Sequence, residues 1–295
     1  MTGLIGHIVN RAATGGDRRV EAAPGTILRA PESFSQLDEC LAEMRDEGVD
    51  VLLIDGGDGT VREVLSRAPE VWAEAPLAYA IAPNGNTNLI ARHAGRVAHD
   101  RIAAFAADPG AAKRTELPLL KAERSGRRML RGFIAGVGAY ETATRYAQSE
   151  VGARHGRQVV ETVMRFLRSE ELRAPTRMAL RIDGAPGSEG DRLLAAFTTF
   201  AQPLIFGLRP FATKEVGPVR WLDVAARPPR LALAAGFLAA GRPRKWMRDH
   251  YRSGAASEVE LRFEGAFVMD GERFEIGEAA ALRLSAKETA TFLSL

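Results

Sequence analysis

The sequence predicts two domains, an α/β domain with a largely parallel sheet and a second domain rich in short strands. The first third of the chain alternates strand-like with helix-like segments, which is typical of α/β layers. Beyond residue 118 the strand-like segments are short and are separated by glycine and proline, as in antiparallel hairpins. The chain of 295 residues also exceeds the usual span of one domain. We therefore expect domains at residues 1–118 and 119–295.

Hydrophobic patterning predicts the elements of the first domain. Residues 4–10, 49–55 and 76–83 are apolar runs typical of buried strands. Residues 33–48 have amphipathic spacing that predicts a helix, with Ser33 or Ser35 as its N-cap. Further helices are expected over residues 59–68, 86–95 and 98–108. Because strands alternate with helices, most strand pairs should be parallel.

The second domain is predicted from short strand-like segments interrupted by two helical insertions. The insertions are expected near residues 140–169 and 229–246. The strand-like segments are residues 128–138, 177–187, 192–201, 219–226, 258–276 and 280–286.

Composition narrows the class of protein. Hydrophobic residues make up 46% and charged residues 26%, which is typical of a folded globular chain. The longest apolar run, residues 231–240, has about half the length that a bilayer crossing needs. The N-terminus lacks signal-peptide features, and the single cysteine, Cys40, cannot form an internal disulfide and lies in a helical pattern. We therefore expect a cytoplasmic protein.

A glycine cluster follows the second predicted buried strand. Residues 56–60 read Gly-Gly-Asp-Gly-Thr and lead directly into a helix, which places backbone N–H groups at the carboxyl edge of a parallel sheet, where anionic ligands bind. Asp58 could reach a metal ion or a hydroxyl, and Thr60 could cap the helix or donate to a phosphate. The same residues also fit a tight turn capped by Asp58 and Thr60.

A second loop of similar character follows the next strand. Residues 83–88 read Pro-Asn-Gly-Asn-Thr-Asn before another predicted helix. Two such loops on neighbouring strands should face each other at one sheet edge. Alone, the polar residues of this loop would also fit turn and N-cap positions.

Four segments, in this order, resemble the diacylglycerol kinase catalytic-domain family, which includes bacterial lipid kinases and the sphingosine and ceramide kinases. Residues 56–60 with Glu63 are similar to its nucleotide loop, and residues 83–92 are similar to its second glycine loop. Residues 8–16 keep Asn10 of its opening segment, and residues 270–272 are similar to its Asp-Gly-Glu turn. The resemblance covers nearly the whole chain, whereas the first loop alone is shared with NAD kinases.

The resemblance implies a nucleotide-binding domain like that of NAD kinases and phosphofructokinases, then a β-sandwich lipid domain, with the extreme C-terminus packing back on the first domain. It implies Mg²⁺-dependent transfer of the γ-phosphate of ATP to a lipid hydroxyl. Asp58 would be a catalytic acid and metal ligand, and Glu272 the proton acceptor. The residues that would bind the nucleotide are Asn10, Gly56, Gly57, Gly59, Thr60, Glu63, Gly85, Asn86, Thr87 and Asn88. Without the resemblance, residues 270–272 also fit an ordinary hairpin turn.

The chain departs from the family pattern at three places. Asn86 replaces the phosphate-loop threonine, and Tyr140 stands where the family has an aspartate. The second-domain metal turn should lie at residues 210–224, but only Glu215 and Asp223 offer carboxylates there, at the wrong spacing for Mg²⁺. These departures favour a sphingolipid-type acceptor such as ceramide over diacylglycerol.

A basic segment at residues 241–252 indicates how a lipid kinase would reach its substrate. We expect Arg244, Lys245 and Arg248 to meet anionic headgroups, with Trp246 and Tyr251 at the interface, on the inner membrane surface. The segment also fits an exposed helix end with a packed tryptophan. No nucleic-acid partner is expected, because the net charge is only +3 and no recognition motif is present. The sequence indicates no oligomeric state.

Two alternatives to a lipid kinase stay open. One is an NAD kinase, which shares the first glycine loop. The other is a degenerate kinase fold that binds lipid or nucleotide without catalysis. The altered metal turn is the reason to consider it.

Overall fold

The computed structural model describes residues 3–12, 22–73, 75–85, 87–146, 174–201, 204, 208–211, 213–276 and 281–295. The chain divides into two compact units. Unit 1 comprises Met1–Leu119, Leu130–Gly132 and Glu288–Leu295. Unit 2 comprises Leu120–Met129 and Phe133–Lys287.

Unit 1 alternates strands and helices, as the sequence predicts. Its strands are β1 (Ile5–Val9), β2 (Thr26–Arg29), β3 (Val51–Gly56), β4 (Ala78–Pro83), the first part of β5 (Lys113–Arg124) and β6 (Leu130–Gly132). Its helices are α1 (Phe34–Asp46), α2 (Asp58–Trp72), α3 (Leu89–Ala94) and α4 (Ile102–Ala107). Ser33 is the N-cap of α1, because its hydroxyl accepts the N–H of Gln36 at 3.2 Å. The predicted α/β alternation is therefore confirmed.

The sheet of unit 1 is parallel in its centre. β1 pairs with β2 and β3, and β3 pairs with β4, all in parallel. The last chain segment, the end of β15 (Ala281–Ser294), adds a parallel strand beside β4, with Phe292 opposite Tyr79. The sequence pattern ended this strand at residue 286, although the resemblance implied that the extreme C-terminus packs back on the first domain; the pairing partner, β4, was not named. The carboxyl ends of β1, β3 and β4 therefore share one sheet edge, where both glycine loops begin.

Helix α2 continues past the proline at which the sequence analysis ended it. Pro69 lies inside the helix, which runs on to Trp72. The indole of Trp72 is buried and donates to the carbonyl of Val49 at 2.9 Å. This anchor holds the last turn in place, although Pro69 has no N–H to donate within the helix.

The described part of unit 2 contains mostly strands. Its described elements are the end of β5, β7 (Ile134–Gly138), α5 (Ala139–Tyr146), β8 (Thr176–Ile182), β9 (Ser188–Thr198), β10 (Val219–Ala225), α6 (Leu231–Ala239), β11 (Tyr251–Ala256), β12 (Glu258–Phe263), β13 (Gly265–Met269), β14 (Glu272–Ile276) and the start of β15. Of the insertion predicted at residues 140–169, the part beyond residue 146 lies outside the described residues. The second insertion is helical only over Leu231–Ala239, followed by a 3-10 turn at Lys245–Met247.

The strands of unit 2 pair antiparallel in the order β14-β13-β7-β9-β8-β12-β15. The second half of β9 lies between β7 and β10, and its first half pairs with β8. The pairing therefore branches at β9. The sequence analysis expected short antiparallel strands here, and the described pairs agree, but it missed β11, whose residues Tyr251–Ala256 lack alternating polarity.

Candidate functional site

The first glycine loop joins β3 directly to α2. Gly57 is the N-cap of α2 and supplies no side-chain cap, so the first turn of this helix of 15 residues presents backbone N–H groups. Gly59 and Thr60 belong to that first turn. A Cβ on Gly56 would lie 2.7 Å from the Thr60 side chain, so glycine makes room for the threonine. The start of α2 thus has the geometry of an anion-binding helix terminus.

The two glycine loops touch each other. A Cβ on Gly85 would lie 2.7 Å from the Cα of Gly57, so the backbones approach too closely for any side chain at residue 85. Asn88 holds the second loop in shape: its Oδ1 accepts the N–H of Gly85 at 3.0 Å, and its Nδ2 donates to the Gly85 carbonyl at 2.6 Å. Asn88 has φ of +48°, a conformation that asparagine tolerates well. Thr87 is exposed in this loop, and Asn86 lies outside the described residues.

Asn10 contacts the first loop from the end of β1. Its Nδ2 donates to the hydroxyl of Thr60 at 2.7 Å, and its backbone N–H donates to the carbonyl of Asp55 at 2.9 Å. Three predicted nucleotide-binding positions, Asn10, Gly56 and Thr60, therefore lie together at one sheet edge.

Asp58 links the two loops. Its carboxylate oxygens accept the N–H groups of Leu89 and Ile90, both at 2.9 Å, so the first residue of α2 caps the start of α3. Burial raises the pKa of Asp58 above its usual range, although these two N–H donors and the charge of Arg92 oppose the shift. Each carboxylate oxygen has a second lone pair, so the capping bonds leave acceptor capacity for a ligand. Its predicted catalytic and metal-binding roles stay predictions.

Glu63 lies one turn further along α2 and is buried. Its Oε1 lies 2.5 Å from Arg62 Nη2, and its Oε2 lies 3.0 Å from Arg67 Nε. Arg67 also contacts Asp38 on α1 at 2.7 Å. The carboxylate of Glu63 is thus held by arginines within unit 1, a structural contact that the sequence analysis did not foresee for this predicted nucleotide ligand.

The predicted Asp-Gly-Glu turn lies in unit 2 and connects β13 to β14 as a two-residue hairpin. Asp270 and Gly271 both have positive φ, +46° and +89°. The Asp270 carboxylate is buried and accepts the N–H groups of Phe133 and Ile134 at 2.9 to 3.1 Å. Glu272 is exposed at the first position of β14. The hairpin reading is therefore correct for the turn, and the proton-acceptor role of Glu272 stays a prediction.

The predicted membrane segment has one clear correction. Tyr251 was expected at the interface, but it begins β11, is 4% exposed, and donates its hydroxyl to the Pro229 carbonyl at 2.7 Å. Trp246 is half-buried and packs edge-on against Tyr251, with the ring centroids 6.2 Å apart. Arg244, Lys245 and Arg248 are exposed, as a headgroup contact would require.

A buried cluster near the first loop was missed by the sequence analysis. His7 and Asp55 are fully buried, and His99 Nε2 lies 3.2 Å from Asp55 Oδ1. His7 Nε2 lies 3.9 Å from Asp55 Oδ2, and neither ring nitrogen of His7 has a hydrogen-bond partner among the described residues. Two sequence features could have indicated the cluster: His7 lies inside an apolar strand, and Asp55 lies near the end of another. Burial lowers the pKa of His7, Asp55 opposes that shift, and His99 adds to it.

This cluster predicts a pH-dependent stability. Because the pKa of His7 is below its usual 6.5 in the folded protein, the unfolded chain binds more protons. Stability should therefore be full above pH 6.5 and fall below it, by at most about 1.4 kcal/mol per pH unit from this group. Urea unfolding of His7→Leu at pH 7.5 and 5.5 should show a smaller pH effect than the parent. His93→Gln should also reduce the pH effect, because burial lowers the pKa of His93 in the same direction. An unchanged pH effect in His7→Leu would contradict the assignment.

The contact between the glycine loops predicts the effect of one methyl group. Gly85→Ala would force the loops apart, so we expect ATP affinity to fall about tenfold or more, at an overpacking cost of about 1–3 kcal/mol. Calorimetric titration with ATP measures this. Gly187→Ala is the matched control, since its Cβ would meet its nearest neighbour at an ordinary 3.5 Å. Equal ATP affinity in Gly85→Ala and the parent would contradict a role for this contact.

Metal-ligating side chains do not form a large cluster among the described residues. Within them no group of three or more His, Cys, Asp or Glu side chains is positioned to bind a metal ion. In the same part of the chain, no helix is both long enough and apolar enough to cross a bilayer.

Comparisons with known proteins agree with the resemblance. Residues 18–113 match the family model described as the diacylglycerol kinase catalytic domain. No curated protein sequence matches the chain significantly.

Solved structures match over nearly the full length. One, described as a "putative diacylglycerol kinase" from Bacillus anthracis str. Sterne, has a TM-score of 0.66 and 16% identity over 99% of this chain and 97% of the other. A crystal structure of a diacylglycerol kinase from the same strain has a TM-score of 0.64 and 17% identity over 98% and 96% of the two chains. At this identity the match shows the fold alone. Residues 18–113 thus match the diacylglycerol kinase catalytic-domain family, and the whole chain is similar in fold to these solved structures.

Proposed function

We propose that this protein is an ATP-dependent lipid kinase that phosphorylates the primary hydroxyl of a membrane lipid, either of the ceramide or sphingoid type or diacylglycerol. The observation that carries the proposal is the contact of Gly57 with Gly85, which joins two glycine loops beside Asp58 at the start of α2. The family match over residues 18–113 supports the same assignment.

The residues at this sheet edge fit the phosphates of ATP. The first-turn N–H groups of α2 favour negative charge, and the glycines let a ligand approach the backbone. Asn10, held against Thr60, would add a polar side chain, and Thr87 and Asn88 would contact the phosphates from the second loop. Mg²⁺ is usually held by one or two carboxylates together with substrate phosphates, and Asp58 would supply such a carboxylate. When bound, Mg²⁺ would neutralise charge on the phosphates.

The two predicted carboxylates would divide the work. Phosphoryl transfer depends mainly on positioning and on charge neutralisation, so the raised pKa of Asp58 is compatible with orienting the lipid hydroxyl beside the phosphates. Glu272, exposed to solvent, would accept the hydroxyl proton late in the reaction.

The proposal is tested by incubating the full chain with radiolabelled ATP, Mg²⁺ and either ceramide or diacylglycerol in mixed micelles, followed by thin-layer separation of labelled lipid. We expect one phosphorylated lipid, and the departures at Asn86, Tyr140 and the metal turn favour ceramide. Faster labelling of diacylglycerol would reverse that preference. In a parallel incubation with NAD in place of lipid, labelling of NAD without labelling of either lipid would support the NAD kinase. No labelled product, with ATP or lipid still bound by the protein, would support the degenerate fold.

A further inference from the structure

Helix α6 has a composition that does not match its position in unit 2. Its nine residues, Leu231–Ala239, include no polar side chain. A helix that is apolar on every side is normally buried in a core. In α6 only Ala234 is buried, and the side chain of Leu233 is 51% exposed. The helix therefore presents apolar surface that packing within the described part of unit 2 leaves uncovered.

A neighbouring loop extends this apolar surface. The backbone N–H of Arg209 donates to the carbonyl of Ala239 at 2.8 Å, which holds the loop at the end of α6. Leu208, next to this bond, is 39% exposed. Leu231, Phe237 and Leu238 on the helix are half-buried. We refer to α6 and Leu208 together as the apolar strip, and exposed apolar residues grouped in this way are typical of an interaction surface.

Cations lie on both sides of the strip along the chain. Residues 227–251 contain six arginine and lysine residues but one acid, Asp249, whereas the whole chain has a net charge of only +3. All six are exposed, and none forms an ion pair with a described residue: they are Arg227, Arg230, Arg242, Arg244, Lys245 and Arg248. Positive charge is thus concentrated where the apolar surface is exposed.

Two of these arginines pack over aromatic rings. The guanidinium of Arg244 lies 4.6 Å from the ring centre of Phe237, and that of Arg230 lies 5.7 Å from the ring centre of Trp246. Their aliphatic stems can therefore cover apolar surface while the charged ends remain in water.

We propose that α6, together with Leu208 and the six cations, is a docking surface for an anionic lipid bilayer. A helix of nine residues is about 14 Å long, too short to span a bilayer but suited to lie in the interface. Apolar side chains would enter the acyl region and the flanking cations would meet phosphate headgroups. This assigns insertion to Leu233 and its neighbours on α6, since Trp246 and Tyr251 pack against each other. The inference rests on the proposed function in one respect: a lipid kinase would find its substrate in a bilayer.

The test is cosedimentation of the full chain with vesicles of phosphatidylcholine alone or of phosphatidylcholine with phosphatidylglycerol. We expect binding to the anionic vesicles, weakened by salt. Leu233→Glu should reduce that binding about tenfold or more, because a charge would enter the acyl region. The matched control is Val216→Glu, the same change at a residue 99% exposed elsewhere in unit 2, which should bind as the parent does. Arg242→Gln with Lys245→Gln should lower binding by about fivefold per cation removed.

Three results would overturn the proposal. One is unchanged vesicle binding by Leu233→Glu, and another is equal binding of the parent to neutral and anionic vesicles. A third is dimerisation in ultracentrifugation, abolished by Leu233→Glu, without vesicle binding. Turnover of a micelle-dissolved short-chain lipid separates this inference from the proposed function. If Leu233→Glu loses vesicle binding but retains this turnover, the docking surface and the kinase activity are both supported. If Leu233→Glu loses vesicle binding and even the parent shows no turnover, only the docking surface is supported.

Discussion

Replacing Asp58 with asparagine is expected to slow lipid phosphorylation by about 10²–10⁴-fold. The change removes the carboxylate that we place beside the phosphates and the lipid hydroxyl, with little change in volume. Initial rates with saturating ATP and the preferred lipid measure the effect.

The contacts of Asp58 require a second measurement in that experiment. The single amide oxygen of the introduced asparagine could not accept both N–H groups, of Leu89 and Ile90, as the two carboxylate oxygens now do, at a cost of about 1–3 kcal/mol. Asn88→Ala is the matched control, because it loosens the Gly85 loop and removes a proposed phosphate contact but leaves the carboxylate in place. If Asn88→Ala lost as much activity as Asp58→Asn at equal ATP occupancy, the second loop rather than the carboxylate would explain the loss.

Replacing Asp223 with asparagine is expected to lower the free energy of unfolding by about 3–5 kcal/mol. Asp223 is 3% exposed, and its Oδ1 lies 2.8 Å from Arg192 Nε, an ion pair whose angle is not that of a hydrogen bond. Arg192 is also buried and donates to the carbonyls of Met178, Gly190 and Ser188. Without the carboxylate, unit 2 would contain an uncompensated buried guanidinium.

The other partner of Asp223 provides the control. Arg252 contacts Asp223 Oδ2, but its side chain is 48% exposed, so Arg252→Gln should cost no more than about 1 kcal/mol. Guanidinium chloride unfolding of both variants would show the difference. Equal losses of unfolding free energy in the two variants would contradict a larger contribution from the buried Asp223–Arg192 pair. The resemblance placed a metal turn in the segment that contains Asp223. In the structure the carboxylate of Asp223 is paired with Arg192 and Arg252 instead.

Local patterning predicts the first unit well. Strands β1, β3 and β4 are continuous apolar runs, and each of the two glycine loops follows one of them, so their common sheet edge could be predicted before the structure was known. The end of β15 could not be predicted as a strand from local patterning, because residues 287–290, Lys-Glu-Thr-Ala, interrupt its apolar pattern; only the resemblance implied that the extreme C-terminus packs back on the first domain. Its pairing with β4 joins positions more than 200 residues apart, and no local pattern reports such a contact.

The site was predictable in its residue types but not in their contacts. The sequence placed Asp58 between glycines, yet its bonds to Leu89 and Ile90 depend on a fold that brings the start of α3 to the start of α2. Glu63 matches a nucleotide position, but its arginine partners include Arg67, one turn away on the same helix. His7, Asp55 and His99 meet only when β1, β3 and a 3-10 turn at His99–Arg101 pack together, so their cluster needed the structure. Tyr251 read as an interfacial aromatic, whereas the start of β11 buries it.

The central claim is that the loops at residues 56–60 and 83–88 together hold the phosphates of ATP. Isothermal titration of the full chain with ATP and Mg²⁺ tests it most directly. We expect saturable binding of one nucleotide per chain, weakened in Gly85→Ala and unchanged in Gly187→Ala. Absence of nucleotide uptake by the folded parent, or identical binding by Gly85→Ala, would contradict it.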